Sequence, residues 1–321
     1  MTRRSAVPPP VTAVLDASSR WLPVRLAEVE QRLSEEAAAR DGALGEDAAA
    51  TLAAGGKRLR PMLVLLCAGP DGGEAAVRAA AAVELVHMAS LVHDDVLDAA
   101  PLRRGQPTVV ASAGRDRAVA AGDLLFSRAF ALLAAAGDER AIALLAEASA
   151  ALARGELAQR EDAYDTTIEE RRYLERCRLK TAKLFECACL LGCDSREMAE
   201  FGAAIGLAFQ LLDDVLDVSG PPERTGKARG TDLLDGTVTL PLVLAAESDP
   251  ALRETDLRAL DPAGAEALCD RIAATGALDL VRDRALEMVA DAKQGLDSGS
   301  LGGEQRHLLG LVADGVVQRY S

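Results

Sequence analysis

The segment from Glu74 to Asp98 consists largely of Ala, Val, Leu and Met. A helix of this composition is apolar on every side, so other parts of the chain must surround it. Helical spacing also places apolar residues of "WLPVRLAEVEQRL" on one face: Leu22, Leu26, Val29 and Leu33. Further helices are predicted at 115–136, 139–162, 169–191, 196–218 and 238–247 and within 262–321. No alternating stretch is long enough to predict a strand, so the expected fold class is all-α.

Only 3% of the 321 residues are aromatic while 49% are hydrophobic, so the core must be built from Ala, Leu and Val. We predict a disordered leader at 1–12 and a single domain at 13–321. The six cysteines form no C-x-x-C pair and are expected to be reduced core thiols. No apolar signal region and no uninterrupted apolar window of about 18 residues occur, which predicts a cytoplasmic protein without a transmembrane segment.

The net charge of −14 predicts that the protein binds no nucleic acid, because no broad basic face can form. Its charged chemistry must therefore lie in local clusters. Anionic small molecules remain compatible with this charge where a metal ion, or a few Lys and Arg residues, oppose it.

The pentapeptide Asp-Asp-Val-Leu-Asp occurs twice, at 94–98 and 213–217. In each copy the first and last aspartates are four residues apart, so on a helix their carboxylates share a face. Like charges at this spacing destabilise a helix unless a cation compensates them. Two such pairs suit Mg²⁺, which commonly bridges carboxylates to substrate phosphates. The alternative is two solvated acidic helix ends.

Three basic clusters accompany the acidic ones: "GGKRLRP" at 55–61, "PLRRGQPT" at 101–108 and "RLKTAKLF" at 178–185. Lys and Arg beside glycines suit a bound anion, and Arg can contact phosphate with two parallel hydrogen bonds. For "GGKRLRP" alone, an exposed helix start is an equal alternative. The long loop 219–232, which contains Lys227, is also expected to be functional. Together the clusters predict a site for two phosphorylated ligands, one clamped by metal and one by Arg and Lys.

Seven segments resemble, in chain order, those of the trans-prenyl diphosphate synthases (polyprenyl synthetases): "GGKRLRP", "ELVHMASLVHDDVLD", "RRGQPT", "AGDLLF", "LKTAKLF", "GLAFQLLDDVLD" and "GKARGTDLLDGTVTLP". The resemblance implies the isoprenoid synthase fold, a single large helical bundle around a deep central cavity. It also implies a homodimer, three Mg²⁺ per active site, and isopentenyl diphosphate and an allylic prenyl diphosphate as ligands. A peripheral membrane contact for product release is a further expectation.

Matching positions carry the family's roles onto this chain. The resemblance implies that Mg²⁺ is held by Asp94, Asp98 and Asp213, supported directly or through water by Asp95, Asp214 and Asp217. It implies that isopentenyl diphosphate is bound through Lys57, Arg60, His87 and Arg104. It implies that Arg103, Lys180 and Lys227 contact the allylic diphosphate, and that Thr181 and Gln210 face the developing carbocation.

The implied mechanism follows from these charges. The C–O bond of the allylic diphosphate ionises while cations stabilise the leaving diphosphate. The double bond of isopentenyl diphosphate attacks the allylic cation, and loss of a proton gives a product one isoprene unit longer. A nucleophilic Ser-His-Asp arrangement is not needed for this chemistry.

Several residues near the motifs have a simpler alternative. His87 lies in an apolar helix, where a histidine is more often a core residue, and His93 is expected to support the adjacent acids. Arg58 and Lys183 are expected to be surface charges. Thr237 stands where the family often has Lys, which predicts a weakened diphosphate contact rather than loss of activity.

The resemblance also bears on product length. In the family, the residues four and five before the first aspartate point down the cavity, and here they are the small Ser90 and Ala89. A deeper floor is predicted at Phe126 and Phe130, one helical turn apart, with ordinary core packing as the alternative. We therefore expect an all-trans product longer than farnesyl, of C30 or above, with geranylgeranyl diphosphate as the competitor.

Two other functions are alternatives to this one. A class I terpene cyclase should carry a different second motif and an aromatic cavity. A regulatory subunit of a two-component synthase should lose its aspartates, although a catalytic subunit that needs a partner is compatible with the motifs.

Overall fold

The computed structural model describes residues 9–38, 42–220, 229–297 and 301–318, and they form an all-α bundle as predicted. The first half contributes α1 (Pro9–Ala17), α2 (Leu22–Ala38), α3 (Gly42–Ala53), α4 (Leu59–Ala68), α5 (Gly73–Leu97), α6 (Val109–Ala113), α7 (Arg115–Ala134) and α8 (Glu139–Glu161). The second half contributes α9 (Glu170–Cys177), α10 (Lys183–Gly192), α11 (Arg196–Ser219), α12 (Thr231–Leu234), α13 (Leu240–Ser248), α14 (Pro262–Ala274), α15 (Ala277–Asp297) and α16 (Gly303–Gln318). A π-helical turn, Arg178–Ala182, joins α9 to α10, and 3₁₀ turns occur at Pro70–Gly72, Pro250–Glu254 and Leu257–Ala259.

Helix α5 is the central element that its composition predicts. It packs against α2, α4, α7 and α10, and its residues are buried on every side through most of its length. By length and composition alone, Pro70–Leu97 could cross a membrane, but 72% of its most apolar window is buried inside the protein. Such burial is what the core helix of a bundle shows.

Helices α5 and α7 pack closely because one of them lacks side-chain bulk at the contact. His93 of α5 lies against Gly122 of α7, where an added Cβ would approach His93 Nε2 to 2.2 Å. At the opposite end, Arg78 of α5 and Leu132 of α7 line one cavity of about 310 Å³. The two helices are therefore antiparallel, and depth along α5 can be compared directly with depth along α7.

Two expectations need correction or qualification. A small antiparallel hairpin, β1 (Leu102–Arg103) and β2 (Gln106–Pro107), was not predicted, because strands of this length leave no alternating pattern. The predicted leader overlaps α1, which begins at Pro9 and packs against α16. Residues 1–8 lie outside the described part.

All six cysteines are free; five are buried and Cys193 is half-buried.

The expectation of a surface charge is wrong for Arg58. Its side chain is only 10% exposed and lies 2.9 Å from a carboxylate oxygen of Glu84, which is itself 3% exposed in the middle of α5. It also pairs with Glu30 of α2 and donates a hydrogen bond to the carbonyl oxygen of Leu52. Its backbone is left-handed, with φ of 48°, so these contacts hold a conformation that arginine seldom adopts. Lys183, by contrast, is one-third exposed and pairs with Glu186.

Replacing Arg58 should reveal this buried pair as a loss of stability. Arg58→Met leaves the Glu84 carboxylate in the core without its closest cation, so we expect the free energy of unfolding to fall by about 3 kcal/mol. Urea denaturation measures this difference. The matched control is Arg196→Met, which removes an exposed pair with Glu200 and should change stability by less than about 0.5 kcal/mol. Equal effects of the two substitutions would contradict the structural role of Arg58.

Candidate active site

Both acidic motifs lie at the ends of apolar helices that meet at one pocket. The first motif ends α5, with Asp98 as its C-terminal cap, and the second lies in the last turns of α11. A pocket of about 170 Å³ between them is lined by several of the predicted residues: Asp98, Lys180, Thr181, Gln210, Asp213 and Asp214. Thr237 also borders this pocket. The sequence motifs are thus brought together from distant parts of the chain.

The three aspartates of the first motif have different surroundings. Asp94 is half-buried, and burial raises its pKa to about 6, although nearby Lys180 opposes that rise. Asp95 is 5% exposed and accepts a hydrogen bond of 2.8 Å from Arg103 Nε, with a second Arg103 nitrogen 2.7 Å away. Asp98 is exposed and pairs with Arg160. Each of these carboxylates therefore has a cation near it, as like charges on one helix require.

The hairpin positions the arginines that follow the first motif. Arg104 and Gly105 form its two-residue turn with positive φ values of 53° and 75°, a conformation that joins antiparallel strands tightly. Arg103 then faces Asp95. Arg104 lies against the loop formed by Gly55 and Gly56, here called the glycine loop, where an added Cβ on Gly56 would be 3.1 Å from the Arg104 guanidinium. Neighbouring arginines are thus directed to two different sites.

The second motif is organised around the buried Asp214. Tyr173 donates a hydrogen bond of 2.5 Å to one of its oxygens, and Gln210 donates one of 2.7 Å to the other. Burial, together with the nearby charge of Asp232, raises the pKa of Asp214 to about 8. Asp213 faces the solvent beside it. One aspartate of the pair is therefore held by the protein, and the other is left accessible.

Asp217 is tied to the backbone that follows the loop. Its carboxylate accepts a hydrogen bond from the amide of Asp232, and its carbonyl accepts one from the amide of Gly230. These contacts place Asp232 and Asp235 at the pocket. Lys227 lies outside the described residues, so its predicted contact with the allylic diphosphate stays a prediction.

Lys180 and Thr181 lie in the π-helical turn, which sets them beside the second motif. Lys180 Nζ is 2.5 Å from a carboxylate oxygen of Glu156 on α8. Thr181 donates a hydrogen bond of 2.8 Å to Gln210, which in turn holds Asp214. Each neighbouring helix has a glycine where it approaches the backbone of this turn. A Cβ on Gly155 of α8 would lie 2.5 Å from the Lys180 amide nitrogen, and one on Gly206 of α11 would lie 2.8 Å from the Cα of Ala182.

A second cluster of basic residues lies near the glycine loop. The guanidinium of Arg60 stacks on the ring of Phe185 at 4.5 Å, and burial lowers its pKa to about 10. Its Nε atom is buried and has no hydrogen-bond partner among the described residues. Burial, together with the charges of Arg60 and Arg104, lowers the pKa of His87 well below its usual value, so the imidazole is neutral. A buried donor beside concentrated positive charge suits an anionic ligand.

The acidic motifs fit a hard divalent cation. Their donors are all carboxylate oxygens, which Mg²⁺ and Ca²⁺ prefer. Within the described ranges, no group of three or more His, Cys, Asp or Glu side chains is arranged to hold a metal by itself. Asp95 and Asp214 are buried and already accept protein hydrogen bonds, whereas Asp94, Asp98 and Asp213 are more exposed.

Sequence patterns did not indicate some residues of this site: Glu156, Arg160, Tyr173 and Asp232. Three of them lie on helices whose charged and apolar residues read as ordinary amphipathic surfaces. Only Asp232 falls inside a quoted segment, "GTDLLDG". Tyr173 is one of three tyrosines in the chain and is fully buried, and that rarity was the single available signal.

An all-α bundle with two acidic helices facing one pocket is the arrangement of the isoprenoid synthases. This chain belongs to the polyprenyl synthetase family, which matches residues 43–270. It is 42% identical over 245 residues to heptaprenyl diphosphate synthase component 2 of Geobacillus stearothermophilus, covering 73% of this chain and 77% of that protein. It is 36% identical over 248 residues to octaprenyl diphosphate synthase of Escherichia coli (strain K12), with the same shares of 73% and 77%.

Solved structures agree with this assignment. A polyprenyl synthase from Caulobacter crescentus CB15, complexed with calcium and isoprenyl diphosphate, superposes with a TM-score of 0.87 at 34% identity, covering 97% of this chain and 98% of that one. Heptaprenyl diphosphate synthase from Staphylococcus aureus also gives 0.87, at 29% identity, covering 93% and 98%. The predicted family is confirmed, and with it the class of enzyme, a trans-prenyl diphosphate synthase.

Gly155→Ala should damage the site through its methyl group alone. The added Cβ overlaps the backbone of Lys180, so the π-helical turn must move, and we expect kcat/KM to fall by at least about tenfold. Overpacking should also reduce stability by about 1–3 kcal/mol. Steady-state kinetics and thermal denaturation measure the two effects. Gly295→Ala is the control, because no atom lies within 4 Å of its added Cβ. An equal kcat/KM in Gly155→Ala and in this control would contradict the need for a glycine beside the π-helical turn.

The neutral state of His87 predicts a pH dependence of stability. The unfolded chain protonates this histidine near pH 6.5, whereas the folded chain does not, so the contribution of His87 to stability falls as the pH drops through that value. Between about pH 6.5 and pH 5.5, the loss from His87 amounts to about 1 kcal/mol. The raised pKa values of Asp94 and Asp214 act in the opposite direction in parent and variant alike. Urea denaturation at both pH values should therefore show the loss as a difference between the parent protein and His87→Gln. His307→Gln, at an exposed histidine, should keep the parental dependence.

Proposed function

We propose that this protein condenses isopentenyl diphosphate with an allylic prenyl diphosphate to give an all-trans polyprenyl diphosphate. The observation that carries the proposal is the pocket that Asp98 at the end of α5, Asp213 of α11 and Lys180 line together. Divalent cations held there would neutralise an allylic diphosphate and stabilise it as a leaving group. We propose Mg²⁺ as that cation, with three ions per active site.

The residues of this chain supply the remaining parts of the reaction. Lys57, Arg60 and Arg104 would bind the diphosphate of isopentenyl diphosphate. The neutral His87 would add a hydrogen bond without adding charge. Lys180 would stabilise the leaving diphosphate, and the dipoles of Thr181 and Gln210 would face the carbocation. The apolar bundle around α5 would exclude water, which would otherwise capture that carbocation.

The product is expected to be long. Ala89 is fully buried and Ser90 donates its hydroxyl hydrogen bond back to the carbonyl of His87, so neither presents bulk below the first motif. Helix α5 extends about 30 Å from Asp94 back to Gly73, which matches about six isoprene units at one unit per turn. The relatives named for heptaprenyl and octaprenyl products support C30 or above. A geranylgeranyl diphosphate synthase of Methanosarcina mazei is 35% identical and keeps the shorter product in competition.

The two candidate floor residues differ in depth. The ring of Phe126 lies 5.7 Å from the ring of His93, directly beside the first acidic motif. Because α5 and α7 are antiparallel, Phe130 lies one turn further from the diphosphate end. Both rings therefore lie within about two helical turns of Asp94, and a floor at either level would stop the product well short of C30. Both side chains are half-buried. We propose that both are ordinary packing residues rather than the floor.

Product analysis of the purified chain tests the function. With Mg²⁺, labelled isopentenyl diphosphate and farnesyl diphosphate as primer, we expect prenyl diphosphates of C30 or above by mass spectrometry. Asp213→Asn should lower kcat by about a hundredfold or more, because it removes a ligand of the metal that stabilises the leaving group. Cyclic hydrocarbons would indicate a terpene cyclase instead, and C15 as the only product would contradict the predicted length.

Two substitutions test whether either ring is the floor. If the product is C30 or above, Phe126→Ala and Phe130→Ala should both leave its length unchanged, because both rings lie too close to the first acidic motif to limit it. A longer product from one variant alone would place the floor at that ring and contradict the deeper cavity.

The assembly is proposed from the exposed face of α7. Val119 is a large apolar residue and is 37% exposed. We propose that this part of α7 is covered in a homodimer and that the enzyme is cytoplasmic, with peripheral membrane contact when product is released. The relative named as a component of heptaprenyl diphosphate synthase supports a second arrangement, in which a different subunit is needed. Light scattering, and activity of the chain purified alone, separate the two.

A further inference from the structure

Arg160 lines the pocket beside the first acidic motif, although no motif assigns it a role. It lies at the end of α8, and Asp98 and Asp213 line the same pocket. One of its terminal nitrogens is 2.5 Å from an Asp98 oxygen, and its Nε is 3.0 Å from a Glu156 oxygen. The other Glu156 oxygen lies 2.5 Å from Lys180. These contacts form a row of alternating charges, Asp98, Arg160, Glu156 and Lys180, and all but Glu156 line the pocket.

The exposure of the side chains indicates which ion pair in this row breaks most easily. The Glu156 side chain is 13% exposed and pairs with two cations, so it is a fixed point. Asp98 and Arg160 are 39% and 40% exposed, and an ion pair in water contributes little to its own persistence. A divalent cation competes well for such a carboxylate, because its charge is double that of the guanidinium. Contact with Glu156 would keep the released arginine at the pocket.

We propose that Arg160 is an internal cation that occupies Asp98 in the metal-free enzyme and is displaced by the divalent cation. The inference rests on the proposed function, which assigns Asp98 to the metal. Arg160 thus lowers the intrinsic affinity of the acidic site for free metal. Once displaced, the guanidinium lies beside the bound diphosphate, where positive charge is needed. Arg160 is in this sense a positioning residue for the first acidic motif.

Arg172 provides a matched control that distinguishes this exchange from the general effect of removing a positive charge. Arg172 is 39% exposed and also pairs with two carboxylates, those of Glu161 and Asp162. It does not line the pocket. Arg172→Met therefore removes the same charge from a similar environment without freeing a predicted metal ligand.

The test is a titration of the full chain with Mn²⁺, in which free metal is measured by electron paramagnetic resonance without substrate. We expect Arg160→Met to bind Mn²⁺ about two- to fivefold more tightly than the parent, the range that an exposed ion pair supplies. Arg160→Lys should return toward the parental affinity, and Arg172→Met should match the parent. In an Asp98→Asn background, Arg160→Met should have no effect, because the pair is already broken.

Each outcome is decisive. Equal or weaker Mn²⁺ binding by Arg160→Met overturns the inference, as does tightening of the same size in Arg172→Met or in the Asp98→Asn background. Failure of Asp98→Asn to weaken Mn²⁺ binding overturns the metal assignment in the proposed function, and the inference with it. Loss of binding in Asp98→Asn without tightening in Arg160→Met leaves the proposed function standing and removes only the exchange. Thermal denaturation of each variant checks that the fold is kept.

Discussion

Negative charge gathered at the ends of two apolar helices is the constraint on which the rest of this structure depends. Burial raises the pKa of both Asp94 and Asp214, so the protein holds carboxylates where ionisation is unfavourable. Neighbouring groups offset this: the charge of Lys180 on Asp94, and the hydroxyl of Tyr173 on Asp214. Removing one partner of such a buried group costs more than the contact itself contributes, because the charge that remains is uncompensated. The acidic motifs therefore require a whole surrounding set of donors.

The helices and the motif residues could be predicted because each leaves a local pattern. Apolar periodicity located the long helices, and the spacing of Asp94 and Asp98 placed their carboxylates on one face. Partners across the bundle leave no such pattern: Arg160 meets Asp98 only because α8 passes the end of α5. Arg58 shows the same limit, since its neighbours in sequence suggest exposure while Glu84 of α5 binds it in the interior. Contacts between helices depend on packing, which one sequence read locally does not contain.

Depth along the cavity is another property that sequence spacing describes only in part. The small Ala89 and Ser90 could be identified from their distance to the first aspartate. The level of Phe126 could not, because it depends on how α7 is aligned with α5. That alignment is set by His93 resting on Gly122, a contact between residues that no motif pairs. The depth of a side chain along the bundle therefore depends on the register of two antiparallel helices as well as on its position in the sequence.

Helix glycines in close contact with a neighbouring helix restrict how this enzyme can be engineered. Exchange of glycine for alanine within helices is a routine way to raise thermal stability, since it reduces the entropy of the unfolded chain. At Gly206 and Gly122 the new methyl group would enter space already occupied by the opposing helix. These glycines thus mark places where neighbouring helices of the bundle lie very close together. A stabilised catalyst would have to gain its rigidity elsewhere, in helices that face solvent.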